Sequence, residues 1–243
     1  METIEEVWKD MMNRIVKDGY QCSKDDSEIY EVLGLHYQIA NPIKLYSDNL
    51  NLNLNSHKFI DLAKNGAFDI EGYPLKGEAL SDYIDSINQY DKIYIHENDQ
   101  AFVYTYPERI KHYLSCDIED NIIFYNQLDN IIKRLKNNIG SNRAIAVLYQ
   151  AGLDSQAIDI PCLQLIQAFV RDNKLILSVF FRSNDIYGAF PSNMLFISNI
   201  GIVIQEELRK INPNIKFEYI DYHVSSAHIY ETDLDAVKAK IGV

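Results

Sequence analysis

The sequence predicts an α+β fold: a large mixed sheet flanked by helices, with a long buried helix at its centre. Three observations carry this. Segments of strand period and segments of helix period are interleaved along the chain rather than segregated. Two apolar runs, 162–170 and 174–182, are separated by Arg-Asp-Asn-Lys, a good hairpin turn, and a doubly wound parallel sheet does not expect a hairpin there. The stretch 193–212, NMLFISNIGIVIQEELRKIN, is apolar nearly all round until Gln205, the mark of a helix buried on every side.

The other elements follow in order. Residues 4–18 place Val7, Met11, Ile15 and Val16 on one helical stripe. Residues 28–41 read as a strand ending before Pro42. In 46–59 Leu alternates with Asn or Ser, which reads as an exposed strand or loop. Residues 77–88 form a helix with Leu80, Tyr83, Ile84 and Ile87 on one face. Residues 121–138 read as a second amphipathic helix with Leu128, Ile131, Ile132 and Leu135 facing in, and 144–150 as a short buried strand. After the hairpin and the central helix come a strand at 215–230 and a closing helix from 231. No repeat or low-complexity linker intervenes, so residues 1–243 are expected to form one domain.

Bulk properties narrow the function. A 47% hydrophobic and 24% charged composition is that of an ordinary globular protein. The net charge of −12 argues against nucleic acid, whose binding leans on clustered Lys and Arg, but leaves room for a small anion in a locally basic pocket. No apolar run approaches the ~20 residues of a membrane span, and the acidic, amphipathic start does not look like a signal peptide. Cys22, Cys116 and Cys162 are odd in number and form no CxxC pair, which fits reduced thiols and a cytoplasmic location. No metal ligand set stands out.

Four places carry candidate chemistry. Cys162, after Pro161, is either a small buried hydrophobe or a nucleophile, and a nucleophilic thiolate wants a cation nearby. Arg182 on the neighbouring strand could supply it, although the turn pairs the two only approximately. Arg182 and Ser183 leave an oily strand with a fork of donors and a hydroxyl, a set that suits phosphate. His228 and Tyr230 have period-two spacing, so they share a face, as core filler or as partners of a sugar hydroxyl.

Together these pieces resemble the thymidylate synthase family, most closely its short archaeal-type members, and the wider group that includes pyrimidine-nucleotide hydroxymethylases. The resemblance rests on Pro161-Cys162, on Arg182-Ser183-Asn184-Asp185 twenty residues later, on Asn193 eleven beyond Arg182, on His228-Ile229-Tyr230, and on Arg143 nineteen before the cysteine. It covers about 140–240 well and is faint over 28–115, where FVYTYPERIKHY looks like the family's Tyr-Gly-x-Arg-type segment, with Tyr106 in the tyrosine position and Pro107 in place of Gly.

The resemblance implies a reaction. Cys162 would add to C6 of a uracil deoxynucleotide, dUMP, so that C5 attacks a one-carbon unit carried by 5,10-methylenetetrahydrofolate or a related methylene-tetrahydropterin. Arg182, Asp185 and Tyr106 would serve catalysis. Arg182 and Ser183 would hold the 5′-phosphate, His228 and Tyr230 the 3′-hydroxyl, and Asn193 the base. The family's hydroxymethylases of deoxycytidylate carry Asp at the Asn193 position, so Asn193 favours uracil. Arg143 would reach the phosphate of a second subunit, which implies a homodimer with shared sites. Departures accompany the match. Leu163 follows the cysteine where His is usual, Asn142 replaces one of two arginines, Lys44 is the nearest cation to the N-terminal phosphate loop, and Glu71 and Glu78 are the positional candidates for the catalytic glutamate. A methyltransferase, a hydroxymethylase and a non-catalytic nucleotide-binding relative remain the three readings.

Overall fold

A computed structural model of the chain describes residues 2–24, 27–40, 54–89, 104–116, 119 and 121–243. Helix α1 (Ile4–Asp18) starts on a capping box, with Thr3 and Glu6 each bonding the other's backbone, and buries Val7, Trp8, Met11, Met12 and Ile15. A hairpin follows, β1 (Tyr20–Lys24) and β2 (Ser27–Ala40), and then α2 (Ser56–Lys64) and α3 (Gly77–Gln89). Short α4 (Tyr106–Lys111) leads into a two-stranded ribbon, β3 (Tyr113–Cys116) with β4 (Ile122–Tyr125). Next come α5 (Gln127–Asn137), β5 (Ile145–Val147) and α6 (Ala151–Asp154). The C-terminal part runs β6 (Leu163–Arg171), β7 (Lys174–Asp185), α7 (Phe190–Arg209), β8 (Lys216–Tyr230) and α8 (Leu234–Ile241).

The main sheet has the order β1-β2-β8-β7-β6-β5, and every neighbouring pair is antiparallel except β7–β8. That one parallel pair explains the buried helix. Parallel neighbours need a crossover, and α7 is the crossover, laid against the sheet between other helices. Sixteen of its twenty residues are buried. At Gly201 a Cβ would lie 2.6 Å from the Phe217 ring, so the glycine lets the helix settle onto β8.

Residues paired across strands share a face of the sheet. The row Ala146–Ile166–Val179–Tyr222–Tyr37 lies under the helices and is buried throughout. The adjacent row Val147–Leu165–Phe180–His223–His36 lies on the other face and stays partly open, with Phe180 41% exposed.

The α+β class, the mixed sheet, the hairpin and the central helix are as expected. Two segments differ. Residues 122–125 pair with β3 instead of extending α5, because Ile-Ile-Phe-Tyr favours a strand and Asn126 caps the helix behind it by accepting the Asp129 N–H. Residues 56–59 begin α2, capped by Asn55, where a strand or loop was expected; 46–53 lie outside the described residues, as do Asn41, Pro42 and Lys44.

Candidate active site

The hairpin turn sets the register of the site. Asp172 and Asn173 both take positive φ (49° and 61°), so Arg171 faces Lys174 in a two-residue turn. Counting back from that pair would set Cys162 against Ser183. A bulge between Leu163 and Leu165 absorbs one residue, and the Arg182 N–H donates to the Cys162 carbonyl at 2.9 Å. The extra residue, Gln164, accepts the Leu148 N–H at 2.9 Å and bonds the Pro161 carbonyl through its side chain. Cysteine and arginine are thus direct neighbours.

The Arg182 guanidinium is locked beside the cysteine. Its Nε donates to the Pro161 carbonyl (3.0 Å) and its Nη2 to the Ile160 carbonyl (2.6 Å), which also accepts the Tyr104 hydroxyl (3.1 Å). Burial pushes the Cys162 thiol up, and the positive charges of Arg182 and Lys24 pull against it without prevailing. Arg182 is thus the first of the two cations that favour the thiolate, and burial outweighs them in the chain without substrate.

Tyr106 opens α4, where Thr105 and Glu108 form a capping box and Pro107 sits in the first turn, a position that needs no N–H. That accounts for proline in the place of the usual glycine. The Tyr106 hydroxyl accepts the Leu163 N–H at 3.4 Å, next to the cysteine, and burial raises its phenol well above the ordinary range. Behind it, buried Arg109 bonds Asp154 at 2.6 Å and also Gln150, tying α4 to α6.

The base-reading candidate, Asn193, lies buried in the first turn of α7. Its Oδ1 accepts the Tyr83 hydroxyl at 2.6 Å and its Nδ2 donates to Asn184 Oδ1 at 3.2 Å. Asn184 in turn donates to the Tyr222 hydroxyl at 2.9 Å. Each end of the amide keeps one hydrogen-bonding position for a ligand.

Ser183 and His228 meet at 3.3 Å through Oγ and Nδ1, and the His228 and Tyr230 rings touch edge to face at 5.3 Å. Lys24 joins them, with Nζ 3.1 Å from His228 Nε2 and 3.4 Å from the Tyr230 hydroxyl. An ammonium can only donate, so Nε2 accepts and Nδ1 carries the ring proton toward Ser183. Burial, followed by the Lys24 charge, lowers the His228 pKa to about 4. Asp185 lies at the end of β7 and accepts the Gly188 N–H at 3.0 Å; burial pushes its carboxyl up. A cavity of about 690 Å³ elsewhere, between α3, α5 and α7, is lined by none of these residues.

Two expected groups stand apart. Ala144 pairs with Ala168, six residues along β6 from Cys162, or about 20 Å at strand rise. Arg143, the residue before Ala144, is exposed and lies well along the sheet from Cys162 of its own chain. Asn142 next to it bonds Arg171. Glu78 is exposed and pairs with Lys64 at 2.9 Å, and Glu71 is exposed, so neither points to a role beside the cysteine. Sequence reasoning missed Lys24 and the hydroxyl of Tyr83. Tyr83 shared its helix face with apolar residues and read as core, while Lys24 is one surface lysine among many until β1 pairs with β2.

Known proteins resemble the chain over most of its length. A family model described as thymidylate synthase matches residues 8–242. A protein of Methanothermobacter marburgensis is 27% identical over 99% of this chain and 96% of its own length. One from Methanocaldococcus jannaschii is 30% identical over 69% of this chain and 71% of its own, and one from Methanopyrus kandleri 25% identical over 96% and 92%. Each of the three bears the name "Putative thymidylate synthase". With this match over nearly its full length, the chain belongs to the thymidylate synthase family.

Proposed function

We propose that the protein transfers a one-carbon unit to C5 of deoxyuridylate, with dTMP as product. The observation that carries this is the convergence of Cys162, Arg182, Ser183, His228 and Asn193 at one end of β6, β7 and β8. C5 of uracil is too weak a nucleophile to react unaided. Addition of the Cys162 sulfur at C6 places electron density on C5, C5 bonds the incoming carbon, and loss of the C5 proton followed by expulsion of the sulfur restores the ring, so one hard step is split into easier ones.

The raised thiol pKa fits a nucleophile that is released only with substrate in place. Binding of the 5′-phosphate draws donors from Ser183 and from the remaining N–H groups of Arg182. Asn193 presents Oδ1 to N3–H and Nδ2 to O4 of the uracil, with Tyr83 and Asn184 fixing its amide plane. A cytosine offers the reverse pattern at those two atoms and is disfavoured. The 3′-hydroxyl bonds Tyr230 and takes the place of Lys24 at Nε2 of neutral His228. Asp185, whose carboxyl burial pushes up, and Tyr106, bonded to the Leu163 N–H, are the groups we assign to proton movement.

A methylene-tetrahydropterin such as 5,10-methylenetetrahydrofolate supplies the carbon and, for a methyl product, the hydride. A reduced pterin ring presents adjacent N–H donors, and Asp185 offers carboxyl oxygens to meet them, so the donor set fits.

We further infer a homodimer with shared sites. Arg143 is exposed and follows the sheet away from Cys162, and the half-open row on the outer sheet face suits a second copy. Arg171, held against Asn142, supplies a second cation beside Arg143 in place of the missing arginine. The reaction is tested by the mass of the product formed from deoxyuridylate and methylenetetrahydrofolate. A gain of one methylene unit supports it; a hydroxymethyl group assigns the hydroxymethylase reaction instead, and no product makes the chain a non-catalytic relative.

A further inference from the structure

Lys24 lies in the site, yet one-carbon transfer gives it no task. The hairpin register sets it opposite Ser27, and Ile29 two residues on faces Tyr230, so the tip of the hairpin reaches the end of β8. Its ammonium donates to His228 Nε2 at 3.1 Å and to the Tyr230 hydroxyl at 3.4 Å, and stands 5.4 Å from the centre of the Tyr230 ring. A lysine at the end of an edge strand needs no function, since it keeps strand edges from pairing. Such a lysine points to water, whereas Lys24 turns inward, partly buried, onto two side chains of another strand. Those two side chains are the ones assigned above to the sugar 3′-hydroxyl. Both are neutral, and among the described residues Lys24 forms no ion pair.

We propose, on the reading of this site as one for deoxyuridylate, that Lys24 sets its preference for a nucleotide over a nucleoside: without ligand the ammonium fills the place of the 3′-hydroxyl, and a 5′-phosphate draws it out. An ammonium and a hydroxyl each donate to Nε2, so the two compete for one acceptor. When a nucleoside displaces Lys24, the bonds gained by the sugar are offset by those the ammonium loses as it returns to water. When a nucleotide displaces it, the ammonium passes to phosphate, and a charge-assisted bond replaces two bonds to neutral groups. Little movement is needed. Ser183, assigned to the phosphate, bonds Nδ1 of the same ring that Lys24 bonds at Nε2. The four-carbon stem of lysine is flexible, so the ammonium swings while the strand stays in place. The Lys24 charge also favours the ionised forms of the Cys162 thiol and the Asp185 carboxyl, which places it within electrostatic reach of both.

The test is calorimetry on the full-length chain with deoxyuridylate and with deoxyuridine, comparing the wild type with Lys24→Met, which keeps the stem and removes the charge. Deoxyuridylate should bind the variant about 10- to 100-fold more weakly, the worth of one charge-assisted bond. Deoxyuridine should bind it more tightly, by about threefold or more, because its 3′-hydroxyl no longer competes with the ammonium. A lysine that only supports the hairpin, or only attracts anions, gives the nucleoside no such gain. Unchanged or weaker deoxyuridine binding in the folded variant therefore overturns the proposal. Lys24→Ala, at the end of an edge strand, gives the same two readings should Lys24→Met fail to fold. A wild type that binds no deoxyuridylate defeats both this proposal and the C5-transfer reading. A wild type that binds it, with a Lys24→Met protein of unaltered deoxyuridine affinity, defeats the role of Lys24 alone.

Discussion

The same sheet holds histidines in opposite circumstances. His228 is buried at the catalytic end, faces the Lys24 ammonium, and keeps its ring neutral to about pH 4. His36 and His223 are half open on the outer face and share one carboxylate. The neighbouring cross-strand rows differ likewise. One is closed by helices of its own chain, and the next is left for water or a partner. The contrast teaches that residue type does not set the chemistry here. What decides is which side of the sheet a strand residue meets, and whether its nearest charge is a cation or an anion.

The contrast is broken most severely at the cysteine. Cys162→Ser replaces a thiol by a hydroxyl that is a far weaker nucleophile at neutral pH, so steady-state turnover should fall by about 10³-fold or more while deoxyuridylate binding by calorimetry persists. Near-normal turnover would remove covalent catalysis from the protein.

Acid should distinguish the histidines next. His228 has a folded-state pKa of about 4, below the ~6.5 of an unfolded chain. The unfolded state binds the proton more readily, so this group's contribution is fully present above about pH 6.5 and lost as pH falls toward 4. The amount is about 3 kcal/mol by linkage. Urea denaturation at pH 7 and pH 4.5 should show the decline, and His228→Gln should flatten it. An unchanged slope in that variant would place the acid sensitivity elsewhere.

Arg143 probes the outer side. Arg143→Ala should weaken deoxyuridylate by roughly 10- to 100-fold, the worth of one charge-assisted bond of ~1.5–3 kcal/mol, and leave deoxyuridine unaffected. Mixing Arg143→Ala chains with Cys162→Ser chains should restore activity, because one site in each mixed dimer carries neither defect. No recovery in proven heterodimers would mean that each site is built from one chain.

The smallest effect is expected at Tyr83. Tyr83→Phe removes one bond to Asn193 and should cost about 1 kcal/mol in the discrimination of uracil from cytosine, read as the ratio of kcat/KM for the two nucleotides. An unaltered ratio would show that Asn184 and the α7 backbone hold the amide without Tyr83.

Much of this was legible in the sequence, and the exceptions share a cause. Period and turn signals placed α1, α3, the hairpin, α7 and β8, because each is decided by its own residues. The motif positions Cys162, Arg182, Ser183, His228 and Tyr230 lie toward one end of the main sheet, with Asn193 joined to them through Asn184. The register of Cys162 against Arg182 could not be counted, since it depends on a bulge at Gln164 held by β5. The strand at 122–125 was hidden by the helical pattern running on behind it. Lys24 gained meaning only through pairing: β1 carries Lys24 opposite Ser27, which brings its ammonium to residues more than 200 positions away. Nor does periodicity reveal that His36 meets His223, because cross-strand partners are set by register.

The most direct test of Cys162 as the nucleophile is a trapped adduct. In 5-fluorodeoxyuridylate the group at C5 cannot leave as a proton does, so after attack at C6 and transfer of the carbon the complex cannot proceed. Incubation with methylenetetrahydrofolate, followed by proteolysis and mass spectrometry, should find nucleotide and carbon carrier joined to the peptide containing Cys162. An adduct on Cys22 or Cys116, or none with both ligands bound, would contradict covalent one-carbon transfer at this site.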